Sequence, residues 1–191
     1  MNDQSLLLDI PEQLKTERLL LRPPHNGDGP VINAGIQESM AELRLWMPWA
    51  YDGQTPEQSE IFARESAGQF ILREVLNFML WRKADRQFVG MCGMFDFKWD
   101  VPSCEIGYWQ RTSMSGQGYV TEAVNTLTMF AFETLGAQRV QIRCGADNHR
   151  SAGVAERTGY TLEGTLRNVV RSVARDNRLE AMLVYARLRG E

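Results

Sequence analysis

The sequence predicts a single α/β domain whose mixed, twisted central sheet has about seven strands flanked by helices. The predicted order is one strand, two helices, three strands, a helix, a strand, a helix and two strands. A doubly wound fold would instead alternate strands and helices along the whole chain. At 191 residues the chain is long enough for one sizeable core, and no Gly/Ser-rich or Pro-rich linker divides it. We therefore expect residues 1–191 to form one domain.

The first third of the chain predicts one strand followed by two helices. The apolar run ERLLLRP (17–23) is stopped by two prolines, which is typical of a strand end. A helical stretch follows to about Leu45. A second helix begins at TPEQ (55–58), where a capping box carries proline at the first helical position.

Three strands and a long helix are predicted next. Two apolar and aromatic strands, 77–84 and 87–99, surround an ADR turn, and the strand 103–109 follows. Apolar residues then recur every three or four positions, which predicts an amphipathic helix to about Leu135 with Gly136 as its stop.

The last third predicts a strand, a short helix and a hairpin. The strand RVQIRCG (139–145) alternates between apolar and polar residues, and a short helix spans 148–159. Two long strands, 160–173 and 178–188, are joined at ARDN (174–177), a sequence suited to a hairpin turn.

Composition indicates a cytoplasmic protein that binds neither nucleic acid nor membranes. The net charge is −3 with both signs interspersed, so no concentrated basic face is available for a phosphate backbone. The N-terminal segment lacks the basic region of a signal peptide, and no apolar run approaches a transmembrane length. The two histidines lack metal-ligand spacing, so we expect no metal. An odd number of separated cysteines favours a reducing compartment: Cys92, Cys104 and Cys144.

The segment SMSGQGYVTEA (113–123) places Gly116 and Gly118 directly before a predicted helix. Backbone N–H groups at such a helix N-terminus can bind phosphate. A Walker A loop is excluded because Lys and Ser/Thr do not follow Gly118, and a dinucleotide fingerprint fits poorly because Thr121 replaces its third glycine. A tight turn that requires positive φ is the alternative interpretation.

Two longer segments carry a family resemblance. EIGYWQRTSMSGQGYVTEA (105–123), followed by DNHRSAGVAERTGY (147–160), resembles the acetyl-CoA motifs of the GNAT superfamily of N-acetyltransferases. TERLLLRP (16–23) and GYTLEGTLR (159–167) are similar to the branch that acetylates the N-terminal alanine or serine of ribosomal proteins. The resemblance covers nearly the whole chain, places the acetyl-CoA motifs at about 103–160, and implies the GNAT acyltransferase fold with acetyl-CoA as co-substrate.

The resemblance implies a set of coenzyme-binding residues on the strand, the loop and the second motif. The backbone of the strand would pair with pantetheine and supply an oxyanion donor, and the loop would bind pyrophosphate. The basic residues common in this loop are missing, so backbone N–H groups and the helix dipole would carry more of the binding, with Arg111 or Arg150 as further sources of charge. The residues are Tyr108, Trp109, Gln110, Ser115, Gly116, Gln117, Gly118, Tyr119, Val120, Asn148 and Ser151.

Glu105 and Ser151 are the catalytic candidates that the resemblance implies. Glu105 would act as general base, often through water, and alternation places it on the same strand face as Gly107 and Trp109. Its alternative is a glutamate at a strand start. Ser151 would face the leaving thiolate, and its alternative is a first-turn helix residue. A second base position of the ribosomal-protein branch is occupied here by Val170.

Trp46 and Trp49, in the irregular segment WMPWAYDGQ (46–54), are implied to form one wall of the acceptor cleft, although aromatic residues there also suit a core. We expect transfer of acetyl from acetyl-CoA to a primary amine, the N-terminal α-amine of a ribosomal protein. The alternatives are a small-molecule amine acetyltransferase and a coenzyme-A-binding module without catalysis. Relatives are often homodimers, but no sequence feature fixes the oligomeric state.

Overall fold

The computed structural model describes residues 3–50, 54–172 and 177–191, which form one mixed sheet and its flanking helices. Tyr51 and most of the predicted hairpin turn at 174–177 lie outside the described residues. The strands are β1 (Leu14–Lys15), β2 (Leu19–Arg22), β3 (Leu76–Arg82), β4 (Phe88–Lys98), β5 (Ser103–Gln110), β6 (Arg139–Gly145), β7 (Thr161–Ser172) and β8 (Arg178–Leu188). The α-helices are α1 (Gly29–Trp46), α2 (Pro56–Leu72), α3 (Tyr119–Glu133) and α4 (His149–Arg157).

The strand order across the sheet is β1-β2-β3-β4-β5-β6-β8-β7. Every neighbouring pair in the described sheet is antiparallel except β5 and β6, which α3 connects as the crossover that a parallel pair requires. The predicted α/β class, mixed sheet and central crossover are confirmed. The described sheet has eight strands rather than about seven, because the two-residue β1 is too short to give a sequence pattern.

The predicted helix starts follow from local chemistry. At the start of α2 the Thr55 side chain accepts a hydrogen bond from the Gln58 N–H, and the Gln58 side chain accepts one from the Thr55 N–H. α3 begins directly after Gly118, whose φ of +79° is readily reached only by glycine. The helix ends at Glu133, slightly before the predicted end at Leu135.

The sheet separates two apolar cores. On one face, α3 and α4 pack against alternate residues of the central strands, among them Phe78, Cys92 and Ile142. On the other face, α1 and α2 pack against Met79 and Met91. Successive strand residues point to opposite faces, so each core takes every second residue. Within the described residues, none of the helices is long and apolar enough to cross a membrane.

Candidate functional site

The central feature of the site is the divergence of β5 and β6. These two fully described strands pair only at Ser103–Glu105 with Arg139–Gln141. Beyond these residues β5 stays paired with β4 as far as Gln110, and β6 stays paired with β8 as far as Gly145. The facing edges of the two strands therefore carry backbone groups that the sheet does not use, and an extended ligand can bind between them.

The glycine loop closes one end of this opening. Gly116 and Gly118 both have positive φ, +76° and +79°, and the space above the Gly116 Cα is open. The N-terminus of α3, with its free backbone N–H groups, follows at once. The loop therefore meets both requirements of a phosphate site: close access to the backbone and the positive end of a helix dipole.

Arg18 of the segment before β2 braces the far side of the loop. Its Nη1 donates to the Gln117 carbonyl oxygen at 2.9 Å, and its Nε donates to Glu122 Oε2 at 2.7 Å. Its guanidinium also lies 4.7 Å from the Tyr119 ring centroid. Burial alone would raise the pKa of Glu122, but hydrogen bonds from Thr16 and Arg18 lower it below its ordinary value.

Helix α1 braces the near side of the loop. Glu38 accepts hydrogen bonds from the Ser113 N–H at 3.0 Å and from Arg111 Nε at 2.8 Å, and Ser39 Oγ accepts one from the Thr112 N–H. Burial would raise the pKa of Glu38, and the contacts with Ser113 and Arg111 outweigh it and lower that pKa. Arg111 is thus engaged with α1 rather than held free for phosphate.

Tyr108 and Ser151 meet across the opening. The Tyr108 hydroxyl lies 2.9 Å from Ser151 Oγ and also donates to the Ser151 carbonyl oxygen at 3.1 Å. Asn148 caps α4 by accepting a hydrogen bond from the Ser151 N–H. Burial raises the pKa of Tyr108 well above its ordinary value, so this hydroxyl stays protonated at neutral pH and can donate.

A cavity of about 490 Å³, here called the β5–β6 cavity, extends along this opening. Arg150 lies on its wall together with seven of the predicted coenzyme-binding residues: Tyr108, Trp109, Gln110, Ser115, Val120, Asn148 and Ser151. Four predicted residues, Gly116 to Tyr119, form the loop that connects Ser115 to Val120. The Tyr119 side chain is buried in the core, so only its backbone is available to a ligand.

A second cavity of about 480 Å³, here called the α1–α2 cavity, lies on the opposite face of the sheet beneath α1 and α2. Met47, Tyr108 and Trp109 line both cavities, so the two meet at the end of β5. Trp49 lines the α1–α2 cavity. Trp46 does not: it lies at the last turn of α1 and lines the β5–β6 cavity. The two tryptophans expected on one acceptor wall therefore line different cavities.

Glu105 lies where β5 and β6 still pair. Its side chain is only 7% exposed and accepts hydrogen bonds from Arg143 Nε at 2.7 Å and Gln141 Nε2 at 2.9 Å. It shares a strand face with Gly107 and Trp109, which line the α1–α2 cavity, but it lines neither cavity itself. This geometry favours a structural ion pair between the buried Glu105 and the exposed Arg143 over the general base expected from the sequence.

Several residues of the site have no signal in the sequence. Arg18 and Gln117 are 99 positions apart, and Glu38 and Ser113 are 75 apart, so no local pattern links them. The α1–α2 cavity is built from single apolar residues of α1, α2 and β4 that read as ordinary core. Among the described residues, no group of three or more His, Cys, Asp or Glu side chains could hold a metal ion.

Comparison with known proteins places this geometry in a family. A model described as "Acetyltransferase (GNAT) domain" matches residues 18–161. The Bacillus subtilis (strain 168) protein YdaF is 34% identical over 84 residues, which span 44% of this chain and 46% of YdaF. The ribosomal-protein-serine acetyltransferase of Escherichia coli (strain K12) is 38% identical over 139 residues, which span 69% of this chain and 75% of that enzyme.

The fold has solved counterparts. The RimL ribosomal L7/L12 α-N-protein acetyltransferase, solved in complex with coenzyme A, superimposes with a TM-score of 0.86 over 93% of this chain and 98% of that chain. The identity of 20% makes this a likeness of fold alone. The family model covers three quarters of the chain, including β5, the glycine loop and α4. The chain therefore belongs to the GNAT acetyltransferase family.

Proposed function

We propose that this chain is an acetyl-CoA-dependent N-acetyltransferase of the ribosomal-protein type, which acetylates the α-amine of a protein N-terminus. One observation carries the proposal. The β5–β6 cavity and the α1–α2 cavity meet at Tyr108 and Trp109, next to the Ser151 hydroxyl. A donor bound in the first cavity and an amine bound in the second would meet at that junction, which is the arrangement that direct transfer requires.

The residues present fit acetyl-CoA. When bound, acetyl-CoA supplies an activated acetyl thioester that a neutral amine can attack. The backbone of β5 can pair with the pantetheine arm along the unpaired edge, and the N–H groups of Gly116 to Val120 can bind the pyrophosphate. Arg18 holds the Gln117 carbonyl on the far side of the loop, which favours inward-pointing N–H groups.

Ser151 is proposed to stabilise the leaving sulfur. Its Oγ lies within hydrogen-bond distance of Tyr108, which remains protonated. The single Tyr108 proton can go to the Ser151 carbonyl oxygen or to Ser151 Oγ, and in the second arrangement the Ser151 proton is free to point into the β5–β6 cavity. A hydrogen bond to sulfur strengthens as the C–S bond breaks and negative charge develops, so it acts mainly in the transition state.

The amine is proposed to lose its proton through its surroundings and water rather than through a carboxylate. Glu105 is engaged by Arg143 and Gln141 and is not on a cavity wall. An apolar cavity disfavours the charged ammonium and lowers its pKa. An α-amine with a pKa of about 7.8 needs only about 1 kcal/mol to become neutral at pH 7, whereas a lysine with a pKa of about 10.4 needs about 4–5 kcal/mol. A site without a direct base therefore suits α-amines.

The names of the relatives support a protein N-terminus as acceptor, because two of them are acetyltransferases of ribosomal proteins. The proposal includes a cytoplasmic location, and the three buried, free cysteines are consistent with a reducing compartment. The enclosed volume of the α1–α2 cavity also supports a small-molecule amine, which is the second candidate.

Thiol release from acetyl-CoA tests the proposal. A peptide with a free N-terminus should be acetylated faster than the same peptide with a blocked N-terminus and an internal lysine. Small primary amines are measured in parallel. A preference for the internal lysine would contradict the α-amine assignment, faster turnover of small amines would favour the second candidate, and no thiol release with any amine would indicate a module that only binds coenzyme.

A further inference from the structure

The residues that line the α1–α2 cavity restrict which chemical groups an acceptor can place there. Among the described residues that line it, none is acidic or basic, and most are aliphatic or aromatic. Ile32 and Ile36 face it from α1, Phe62 from α2, and Met91 and Phe95 from β4. An ionised group placed there would lose its hydration without gaining a partner of opposite charge, which is strongly unfavourable.

The cavity is also larger than a small polar group needs. Gly93 of β4 and Gly107 of β5 are paired across the sheet, and both line the cavity. A Cβ atom at Gly93 would lie 2.2 Å from Asn77 Oδ1, and one at Gly107 would lie 2.9 Å from the Phe95 ring. The space next to the two glycines is therefore occupied by the Asn77 and Phe95 side chains, which can lie close to the strands because neither glycine carries a Cβ. Its volume of about 480 Å³ falls in the range of about 300–1,000 Å³ that is typical of small-molecule sites.

Aromatic rings concentrate where the cavity meets the reaction site. Trp49 and Trp109 have ring centroids 6.2 Å apart at an interplanar angle of 60°, and Trp109 also packs edge-on against Phe88. Trp49 is 41% exposed, so its face is accessible to a ligand. Aromatic walls of this kind favour flat or bulky apolar groups.

We propose that the acceptor carries a bulky, uncharged, apolar group next to its amine: for a protein N-terminus, a first residue such as phenylalanine, leucine or methionine. The inference rests on the proposed function, because it assigns the α1–α2 cavity to the acceptor of that reaction, and it departs from the serine in the name of the Escherichia coli relative. Binding of the apolar group places the amine in the dry end of the cavity, beside Trp109, where the neutral form is favoured. Substrate recognition and amine activation thus depend on the same apolar surface.

Two acceptor panels test the inference. The first contains peptides that differ only in the first residue: Phe, Leu, Met, Ser, Asp or Lys. The second contains phenethylamine, ethanolamine and β-alanine. A single methylene in an apolar pocket already discriminates by about 10- to 200-fold, so kcat/KM for the Phe peptide should exceed that for the Ser peptide at least tenfold, with Asp and Lys lower still. Within the second panel, phenethylamine should be the best substrate.

Two Asn→Asp substitutions separate the effect of a charge inside the cavity from the effect of the same charge elsewhere on the protein. Asn77→Asp places a carboxylate on the cavity wall, where Asn77 donates to Ser66 Oγ. It should lower turnover of the Phe peptide and raise that of the Lys peptide. Asn125→Asp adds the same charge on the exposed surface of α3 and should leave the order unchanged. Should Asn77→Asp fail to fold, Trp49→Ala provides a milder test and should reduce the Phe-to-Ser ratio.

The outcomes distinguish this inference from the function on which it rests. Equal use of all first residues, or a preference for Asp or Lys, would overturn the apolar acceptor while leaving N-terminal acetylation intact. Turnover in the small-amine panel alone would overturn the N-terminal assignment, and the order within that panel would then decide the apolar inference. No thiol release in either panel would overturn both.

Discussion

The two cavities that meet at Tyr108 and Trp109 are built in different ways. The β5–β6 cavity is formed by two short segments, β5 with its loop and the start of α4, and by the C-terminal part of α1, and its wall includes polar and charged residues such as Gln110, Asn148 and Arg150. The α1–α2 cavity is formed mainly by apolar side chains that come, one to three at a time, from helices and strands spread between Ile32 and Trp109. A coenzyme common to many enzymes can be bound by a fixed local motif. An acceptor that differs between enzymes is bound by residues that also belong to a core.

The largest effect that would test this contrast is expected at the glycine loop. Gly116→Val adds a side chain where the backbone must approach phosphate, so coenzyme A should no longer stabilise the fold. Saturation at a hundredfold excess over Kd gives the wild type about 2.7 kcal/mol of added stability. Thermal unfolding with and without coenzyme A measures the difference.

Gly136→Val is the matched control for that substitution. Gly116 and Gly136 have nearly equal φ, +76° and +72°, and neither would place a Cβ within 4 Å of another atom. Both substitutions therefore strain the backbone to a similar degree, but only one lies in the loop. Equal loss of the coenzyme effect in both variants would show that backbone strain in general, rather than phosphate access at the loop, is responsible.

The next largest effect is expected at Ser151, at the junction of the two cavities. Ser151→Ala removes the hydrogen bond proposed for the leaving sulfur and should lower kcat by about 10²-fold with little change in the KM for acetyl-CoA. Ser151→Thr retains a hydroxyl and should recover part of the activity. A folded Ser151→Ala variant with unchanged kcat would reduce this residue to its contact with Tyr108.

The same contrast explains which parts of the molecule could be predicted. Gly116, Gly118, Asn148 and Ser151 lie in two short segments, and their order in the sequence is enough to place them. Glu105 was correctly placed on its strand, but its partner Arg143 lies on β6 and comes into contact only when the sheet forms. The general-base role expected for Glu105 did not take account of Arg143, because the sequence does not show that the two residues are in contact.

Other features depend on tertiary structure alone. Nothing local in the sequence indicates that Arg18 supports a loop 99 positions away, or that Phe62, which packs against the core, also lines a cavity. Trp46 and Trp49 are three positions apart in the sequence, but the end of α1 and the 3₁₀ turn at Pro48–Ala50 separate them onto different cavities.

An effect of intermediate size is expected in the α1–α2 cavity, and it tests whether the two cavities bind different substrates. Phe62→Ala shortens one wall of the α1–α2 cavity and should raise the KM for an apolar acceptor about tenfold, without changing the KM for acetyl-CoA. Ile61→Ala, on the exposed face of the same helix, is the control and should change neither constant. Initial rates at varied concentrations of each substrate separate the two constants. A rise in the KM for acetyl-CoA alone would contradict the division between the cavities.

The smallest expected effect concerns the pH dependence of the polar side. In the fold, hydrogen bonds from Ser113 and the ion pair with Arg111 outweigh burial and keep the pKa of Glu38 below its ordinary value of 4.5. A lowered folded-state pKa means that the ionised form stabilises the fold above pH 4.5 and that this contribution is lost as the pH falls through the folded-state pKa. Because the pair is partly exposed, the contribution should be about 1 kcal/mol or less.

Glu38→Gln tests this prediction, because the amide keeps the shape of the side chain but cannot titrate. The wild type should be the more stable protein at pH 7, and the difference in unfolding free energy should shrink steadily between about pH 4.5 and pH 3. Arg111→Met removes the partner charge. With Met at position 111, the effect of Glu38→Gln on the unfolding free energy should depend much less on pH. A gap between the wild type and Glu38→Gln that stays constant down to pH 3 would mean that hydrogen-bond geometry, rather than charge, secures the loop to α1. The loop beside the β5–β6 cavity would then depend on the fit of its side chains, as the α1–α2 cavity does, rather than on their charge.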